Sequence, residues 1–399
     1  MVYGGKRIVA VELAGGKAER LWPLTGPYQS KATLRVAGKR LAYYNMDRIQ
    51  DAQIKKLIIP VEFNKKEIRR KLDFSDYGFD NVVFSEAKKE YFPPDIKPHF
   101  RGTADAVGQS EELLKGSDYV LIVPCDHLTN VDYGEFIEHA VFNHENYGAV
   151  ATLGAMTKPV EEIRGNFGNP KIDRNGLVLE WAEKPEKPIS DLASLGIYVG
   201  PVNELLEAIK SSEGHDFGKN VMKYLREKGE LYVHYYPGER YYWNDVGVHE
   251  LLMKANMDLL EEIENIKIPL ERVKYRETKL GGTIKNCLIS KAGPKIHGKA
   301  ENSVIGDYSI IDPDVRIVNS VLMSQNSIKK SGSGKPFTIK DSIIGKYSYV
   351  SDTSLDGAVV GRSVTLHECK VRPGVKIDTD AEKYGEVIES DLRLRQDGL

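Results

Sequence analysis

The sequence predicts an α/β protein in which a mostly parallel mixed sheet is followed by a C-terminal left-handed parallel β-helix. Three observations carry this. From residue 7 to about 260, short apolar runs alternate with amphipathic stretches, the pattern of a sheet with helices on both faces. From residue 281 onward helical periodicity almost vanishes and a degenerate unit recurs, as SVIGDYSII (303–311), SIIGKYSYV (342–350) and AVVGRSVTL (358–366). At 399 residues the chain also exceeds what one hydrophobic core usually supports, so at least two domains are expected.

In the first part, RIVAVEL (7–13), KLIIPV (56–61), NVVFSE (81–86) and YVLIVPCD (119–126) read as strands, the first and last apolar enough to be central. Residues 40–52, 64–72, 102–115, 133–144 and 248–265 read as helices. Ligands of open α/β sheets sit at the carboxyl ends of the strands, so chemistry is sought just after Leu13 and Val123. In the second part the apolar set Ile305, Ile311, Ile317 and Met323 advances by six. That spacing suits a triangular β-helix in which each flat face takes about six residues. A sandwich would instead show a period of two and turns every ~8–12 residues. SGSGKP (331–336) reads as an exposed loop between coils. The expected division is 1–265 for the α/β domain, 266–280 for a linker, 281–375 for the β-helix and 376–399 for a charged tail.

Bulk properties narrow the partners. With 41% hydrophobic and 29% charged residues the composition is that of a soluble globular protein, and no run approaches the ~20 apolar residues of a membrane span. The start lacks a signal-peptide pattern, and Cys125, Cys287 and Cys369 are too scattered for a disulfide framework or a zinc site, so a cytoplasmic location is expected. A formal charge of −2 gives no case for nucleic acid or anionic membrane. Small molecules are the expected partners.

The first constellation with chemistry is LAGGKAERLWPLT (13–25), after the first strand. Gly15 and Gly16 let backbone N–H groups approach a ligand, while Lys17 and Arg20 offer positive charge to phosphates, with Lys31 close by. The same residues also read as an ordinary strand-to-helix turn with solvated charges. Arg20-Leu-Trp-Pro-Leu-Thr favours the phosphate loop.

This segment resembles the nucleotide-binding signature of sugar-phosphate nucleotidyltransferases, LAGGxGxRLxPLT with a lysine about ten residues after the arginine. RGTADAVGQ (101–109), CDHLTNVDYGEFIEHA (125–140), FGNPKID (167–173), WAEKPEKP (181–188), LASLGIYV (192–199), HDFGKN (215–220) and YYWNDVGVHELLMKANMDLL (241–260) follow in the order seen in ADP-glucose pyrophosphorylases. The resemblance spans essentially the whole chain, and GTADAV, HDFGK and W-x-DVG are its most specific parts. It implies a Rossmann-like, GT-A-like nucleotidyltransferase domain, and attack of a sugar 1-phosphate on the α-phosphorus of a nucleoside triphosphate with loss of pyrophosphate. ATP and glucose 1-phosphate are the expected pair, with Mg²⁺ as cofactor and a role in glycogen biosynthesis. It implies catalytic roles for Arg20, Lys31 and Asp126, and metal binding by Asp126 and Asp245. It implies nucleotide contacts from Leu13, Ala14, Gly15, Gly16, Lys17, Gly102, Thr103 and Ala104, and sugar-phosphate contacts from Glu183, Lys184, Ser194, Gly196 and Lys219. His127 and His215 fall in matching motifs and are expected to be structural. The family is usually oligomeric, so a homo-oligomer such as a tetramer, or a hetero-oligomer with a catalytic paralogue, is implied.

The match departs at several places. Ala18 stands where the loop normally has its third glycine, and Gly26-Pro27-Tyr28-Gln29 makes the following stretch one residue longer. No arginine precedes Lys31. Cys125 replaces the glycine before the metal aspartate, Asn220 replaces the aspartate that closes HDFGKD, and EAKKEYFPPDIKPHF has no counterpart of the base-reading glutamine. These departures cluster around the triphosphate. They leave open a non-catalytic regulatory homologue, or an enzyme of another base or sugar. Acyl transfer by the β-helix would need a positioned histidine between coils, for which His297 and His367 are candidates by residue type alone.

Overall fold

A computed structural model describes residues 2–26, 29–261, 263, 266, 272–332 and 334–394. The chain forms two compact units, one made of Met1–Lys17 and Ala42–Trp243, the other of Ala18–Leu41 and Asn244–Leu399.

The first unit is built on seven strands: β1 (Ile8–Leu13), β2 (Lys56–Pro60), β3 (Asn81–Ser85), β4 (Tyr119–Pro124), β5 (Ala151–Thr157), β6 (Leu192–Pro201) and β7 (Leu231–Tyr236). Their order is β7-β5-β6-β4-β1-β2-β3. All neighbouring pairs are parallel except those of β6, which runs antiparallel to both β4 and β5. The four strands read from sequence are here, and β1 and β4 are indeed interior and buried along their length. Their apolar side chains share one core with Ala104, Val107, Phe217, Val221 and Leu225. Helices Leu41–Asp51, Lys65–Lys71 and Tyr133–Tyr147 match the expected stretches. The stretch 102–115 breaks into Thr103–Gly108 and Glu111–Leu114, and at the break Ser110 Oγ donates to the Ala106 carbonyl, a back-bond that competes with the helix.

The second unit carries the left-handed parallel β-helix. Three inward columns stack coil on coil. One runs Ile305, Leu322, Ile344, Val360, Ile377; another Ile296, Ile311, Ile328, Val350, Leu366; the third Ile284, Ala300, Ile317, Ile339, Leu355. These residues form one closed apolar core. The expected sixfold step therefore holds through Ile305, Ile311 and Ile317 and then fails. Leu322, not Met323, takes the inward place, because the corner after Val318 is one residue tighter and Met323 is left half-buried. The coil between Leu322 and Ile344 carries the SGSGKP segment, which contributes no strand among its described residues.

Parallel pairing does not stop at residue 375. Glu382–Tyr384 and Val387–Ile388 add to the stack, and Ile377 bridges Leu392. Arg272–Leu280 pairs antiparallel with Gly282–Ser290. The segment 18–41 packs in this same unit. The Trp22 indole donates to Asp378 at 3.0 Å, and the Arg393 guanidinium lies 4.2 Å from the centre of the Trp22 ring.

Serines also hold the coils in register. Ser303, Ser320 and Ser342 are completely buried. The Ser320 and Ser342 hydroxyls donate to the carbonyls of Val318 and Lys340, and accept the N–H groups of Ser342 and Ala358 on the next coil at 3.2 and 3.0 Å. Buried polar groups persist only when paired in this way. Ser342→Ala strands the Ala358 N–H without an acceptor, so it is expected to cost about 1–3 kcal/mol in a chemical denaturation curve. An unchanged midpoint would show that this hydroxyl carries no part of the coil registry.

Candidate active site

The carboxyl end of β1 leads into the glycine loop. The Ala14 N–H donates to the Pro60 carbonyl and the Cys125 N–H to the Leu13 carbonyl, which ties the loop to the ends of β2 and β4. Gly15 faces Phe100 and Glu62, Gly16 has open space around it, and the Lys17 ammonium lies 5.4 Å from the centre of the Phe63 ring. Asp126 follows β4 directly, with its side chain 16% exposed. Beside it His127 is buried edge-on against Trp243, ring centroids 5.4 Å apart, with its Nε2 4.0 Å from Asp126.

Glu12 is a residue whose importance the sequence does not announce. It is fully buried near the end of β1, and among the described residues neither carboxylate oxygen has a hydrogen-bond partner. Burial, reinforced by the charge of Asp126, pushes its pKa well above the usual carboxylate range. Burial thus disfavours a charge on Glu12 beside Asp126.

GTADAV and HDFGK are parts of one structure. The N–H groups of Ala104 and Asp105 donate to the His215 carbonyl at 2.9 and 3.1 Å, and a Cβ on Gly102 would overlap that same oxygen. The Thr103 hydroxyl donates to Asp216 and accepts the Phe217 N–H. Asp216 in turn caps the short helix that starts at Phe217 by accepting the Lys219 N–H at 3.0 Å. Asp105 is structural: burial alone would raise its pKa, but hydrogen bonds from Arg101 and Gln109 outweigh that and hold it below the ordinary value. His215 enters only through its backbone here, and its side chain is exposed.

The sugar-phosphate candidates converge on this structure. Val178–Glu183 pairs antiparallel with Gly168–Ile172, which sets Glu183 opposite Gly168 and Trp181 opposite Pro170. The Trp181 indole donates to the Gly218 carbonyl at 2.7 Å. A Cβ on Gly218 would overlap the Glu183 carboxylate, so that carboxylate occupies the space glycine leaves. Burial raises the Glu183 pKa above the usual carboxylate value, and the charges of Lys184 and Lys219 offset only part of the rise, to which Asp216 adds. Lys184 is exposed and holds a left-handed backbone, φ 47°, which for a lysine costs about 1–2 kcal/mol. Ser194 and Gly196 lie in an irregularity of β6 between Ser194 and Tyr198, with Gly196 at φ 66° and its N–H directed at the Ser194 hydroxyl. Tyr198 stacks on Phe217, linking that irregularity to HDFGK.

In the second unit, Lys31 forms an ion pair with Asp245 at 3.8 Å. The Arg20 guanidinium lies across Gly247, 3.0 Å from where a Cβ would stand. Arg20, Lys31 and Asp245 thus form one charged group.

Residues 9–262 match the model of the family described as nucleotidyl transferase. The chain belongs to that family. Among its curated relatives, the glucose-1-phosphate adenylyltransferase of Thermodesulfovibrio yellowstonii is 31% identical over 82% of this chain and 86% of its own. The enzyme of the same name from Fervidobacterium nodosum is 29% identical over 87% and 85%. That of Desulfitobacterium hafniense is 28% identical over 83% and 87%.

Set in this nucleotidyl transferase, the departures acquire physical meanings. Ala18 does adopt the left-handed backbone that a glycine would take freely, φ 56° and ψ 35°, and carries strain of about 1–2 kcal/mol for it. Its carbonyl accepts the Thr25 hydroxyl at 2.8 Å. Cys125 has no left-handed backbone and so needs no glycine. The Asn220 amide accepts the Asp216 N–H and donates to the Glu213 carbonyl, a second task an aspartate could not perform. Gly26 and Gln29 exchange backbone hydrogen bonds across the extra residue, while Pro27 and Tyr28 lie outside the described residues.

Gly218→Ala is the informative variant of this site. The overlap falls on the end of a flexible side chain, so the loss of stability should lie toward the low end of about 1–3 kcal/mol while the Glu183 carboxylate is displaced. The Michaelis constant for the sugar phosphate should rise at least about tenfold, with little change for the triphosphate. Equal changes for both substrates would separate Glu183 from the sugar.

Proposed function

We propose that this protein is a cytoplasmic glucose-1-phosphate adenylyltransferase, which converts ATP and glucose 1-phosphate into ADP-glucose and pyrophosphate for glycogen biosynthesis. The Glu183 carboxylate set against Gly218, with Lys219 next in the chain, supports this reading, together with relatives of that name along most of the chain. Glu183 accepts sugar hydroxyls. Lys184 and Lys219 neutralise the sugar phosphate, whose oxygen attacks the α-phosphorus as the bond to pyrophosphate breaks.

The reaction brings one anion against another, so it depends on cations aimed at charge that develops in the transition state. Lys17, Arg20 and Lys31 take this role toward the triphosphate, with the backbone of Leu13–Gly16 and of Gly102–Ala104 lying against it. Asp126 and Asp245 are hard oxygen donors of the kind Mg²⁺ prefers, and they would hold it. The metal would supply charge neutralisation at the reacting phosphates. The raised pKa of Glu12 disfavours a second negative charge beside Asp126. A tetramer or other homo-oligomer assembled through the β-helix completes the proposal.

Purified protein given a panel of triphosphates and sugar 1-phosphates is expected to release pyrophosphate best with ATP and glucose 1-phosphate, and only with Mg²⁺. Binding without turnover for every pair would replace the enzyme with a regulatory homologue. Asp126→Asn keeps the side-chain shape and removes the charge. Turnover should fall about a thousandfold, ~4 kcal/mol of transition-state stabilisation, while the thermal melt stays near that of the parent. Near-normal turnover would take Asp126 out of the reaction.

A further inference from the structure

Away from these residues two imidazoles meet. His139, on the helix Tyr133–Tyr147, and His234, on β7, place their Nδ1 atoms 3.0 Å apart with the rings inclined at 60°. His234 is 7% exposed and His139 is half-buried, so solvent reaches the pair from the His139 side. Phe136 and Tyr236 flank the His234 ring. The charged groups facing the pair are Asp132 and Glu135 from the helix, and the Tyr241 hydroxyl donates to Glu135 at 2.8 Å. Glu135 stands one turn before His139, on the same helix face. Burial pushes both imidazoles below the ordinary histidine range, and with the neighbouring ring adding to it His234 falls to about 4. Both are neutral near pH 7, the state in which imidazole ligates metals.

We propose that His139 and His234 form a binding site for a divalent transition-metal ion of the zinc, nickel or copper class, which pins the helix to the edge strand. Two imidazole nitrogens each bound at ~2.0–2.1 Å with a tetrahedral angle stand about 3.3 Å apart, close to the separation found. Nitrogen donors select such metals over Mg²⁺, which prefers oxygen, so this site is chemically distinct from the aspartates of the proposed reaction. Water completes the coordination. Binding through both Nδ1 atoms places each N–H on Nε2 and leaves both rings neutral, so no proton is released. The pin has a structural context. Tyr236, two residues along β7, donates to the Asp132 carbonyl at 3.0 Å, so one strand would hold the first turn by that bond and the second by the metal. The short strand His127–Thr129 separates this helix from Asp126.

The test uses the full chain stripped with a chelator and returned to saturating Mg²⁺. Calorimetric titration with zinc chloride should show a micromolar site that weakens at least tenfold in His139→Ala and in His234→Gln. Saturating zinc should raise the parent's Tm by ~2–4 °C and leave that of His139→Ala unmoved. The melt of His139→Ala without zinc shows whether that variant is folded, which its half-exposed position favours. If the parent and His139→Ala isotherms coincide, or zinc leaves the parent's melt unchanged, the pair is an imidazole–imidazole hydrogen bond and the proposal falls.

Discussion

Glu183 stands where it does because residue 218 has no side chain. The carboxylate fills the place of the missing Cβ, the Trp181 indole ties the neighbouring strand to the Gly218 carbonyl, and Asp216 caps the helix turn on which Gly218 and Lys219 ride. A chain of short contacts continues from there: Thr103 to Asp216 and Phe217, His215 to the start of the helix Thr103–Gly108, and Phe217 to Tyr198. Four segments far apart in sequence are thereby fixed relative to one carboxylate. Such fixed placement is what a positioning mechanism requires, since most of the barrier to joining two anions is removed by orientation and preorganised charge rather than by proton transfer.

The second unit meets a different constraint. A triangular coil buries one aliphatic side chain per face and must also pair every backbone group at its corners. Aliphatic columns supply the first requirement and the serine column part of the second. Asn286, Asn302, Asn319 and Asp341 turn one corner with φ near 45–50°, a region that Asn and Asp tolerate better than other residues with a Cβ. On this scaffold the segment 18–41 is held by Trp22 and Asp378, which gives Arg20 and Lys31 a fixed base beside Asp245.

The sequence was legible where one physical effect dominates. RIVAVEL and YVLIVPCD are interior strands because nothing but a doubly covered sheet accommodates such runs, and Ile305, Ile311 and Ile317 announce their coil by spacing alone. It was opaque where effects compete. ATLGAMT and LASLGIYVGP are central strands made of small residues, one with an irregularity at Gly196, so neither shows a clean period. Met323 lost its inward place to Leu322 because a corner is not a constant number of residues. Serines count as surface residues until their partners are seen. Glu12 hides inside an apolar run, and Asn220, which reads as a departure from HDFGKD, is a local brace. In the candidate site, motif order nominated residues, but could not show that Gly102 and Gly218 are glycines for want of space.

The claim on which the account rests is that the sugar is held over Glu183 and Gly218. A crystal structure of the protein with ADP-glucose bound tests it directly. The account predicts glucosyl hydroxyls within about 2.6–3.2 Å of the Glu183 carboxylate, with the adjoining phosphate directed at Lys184. A glucosyl group bound elsewhere, with Glu183 facing only protein, would contradict it.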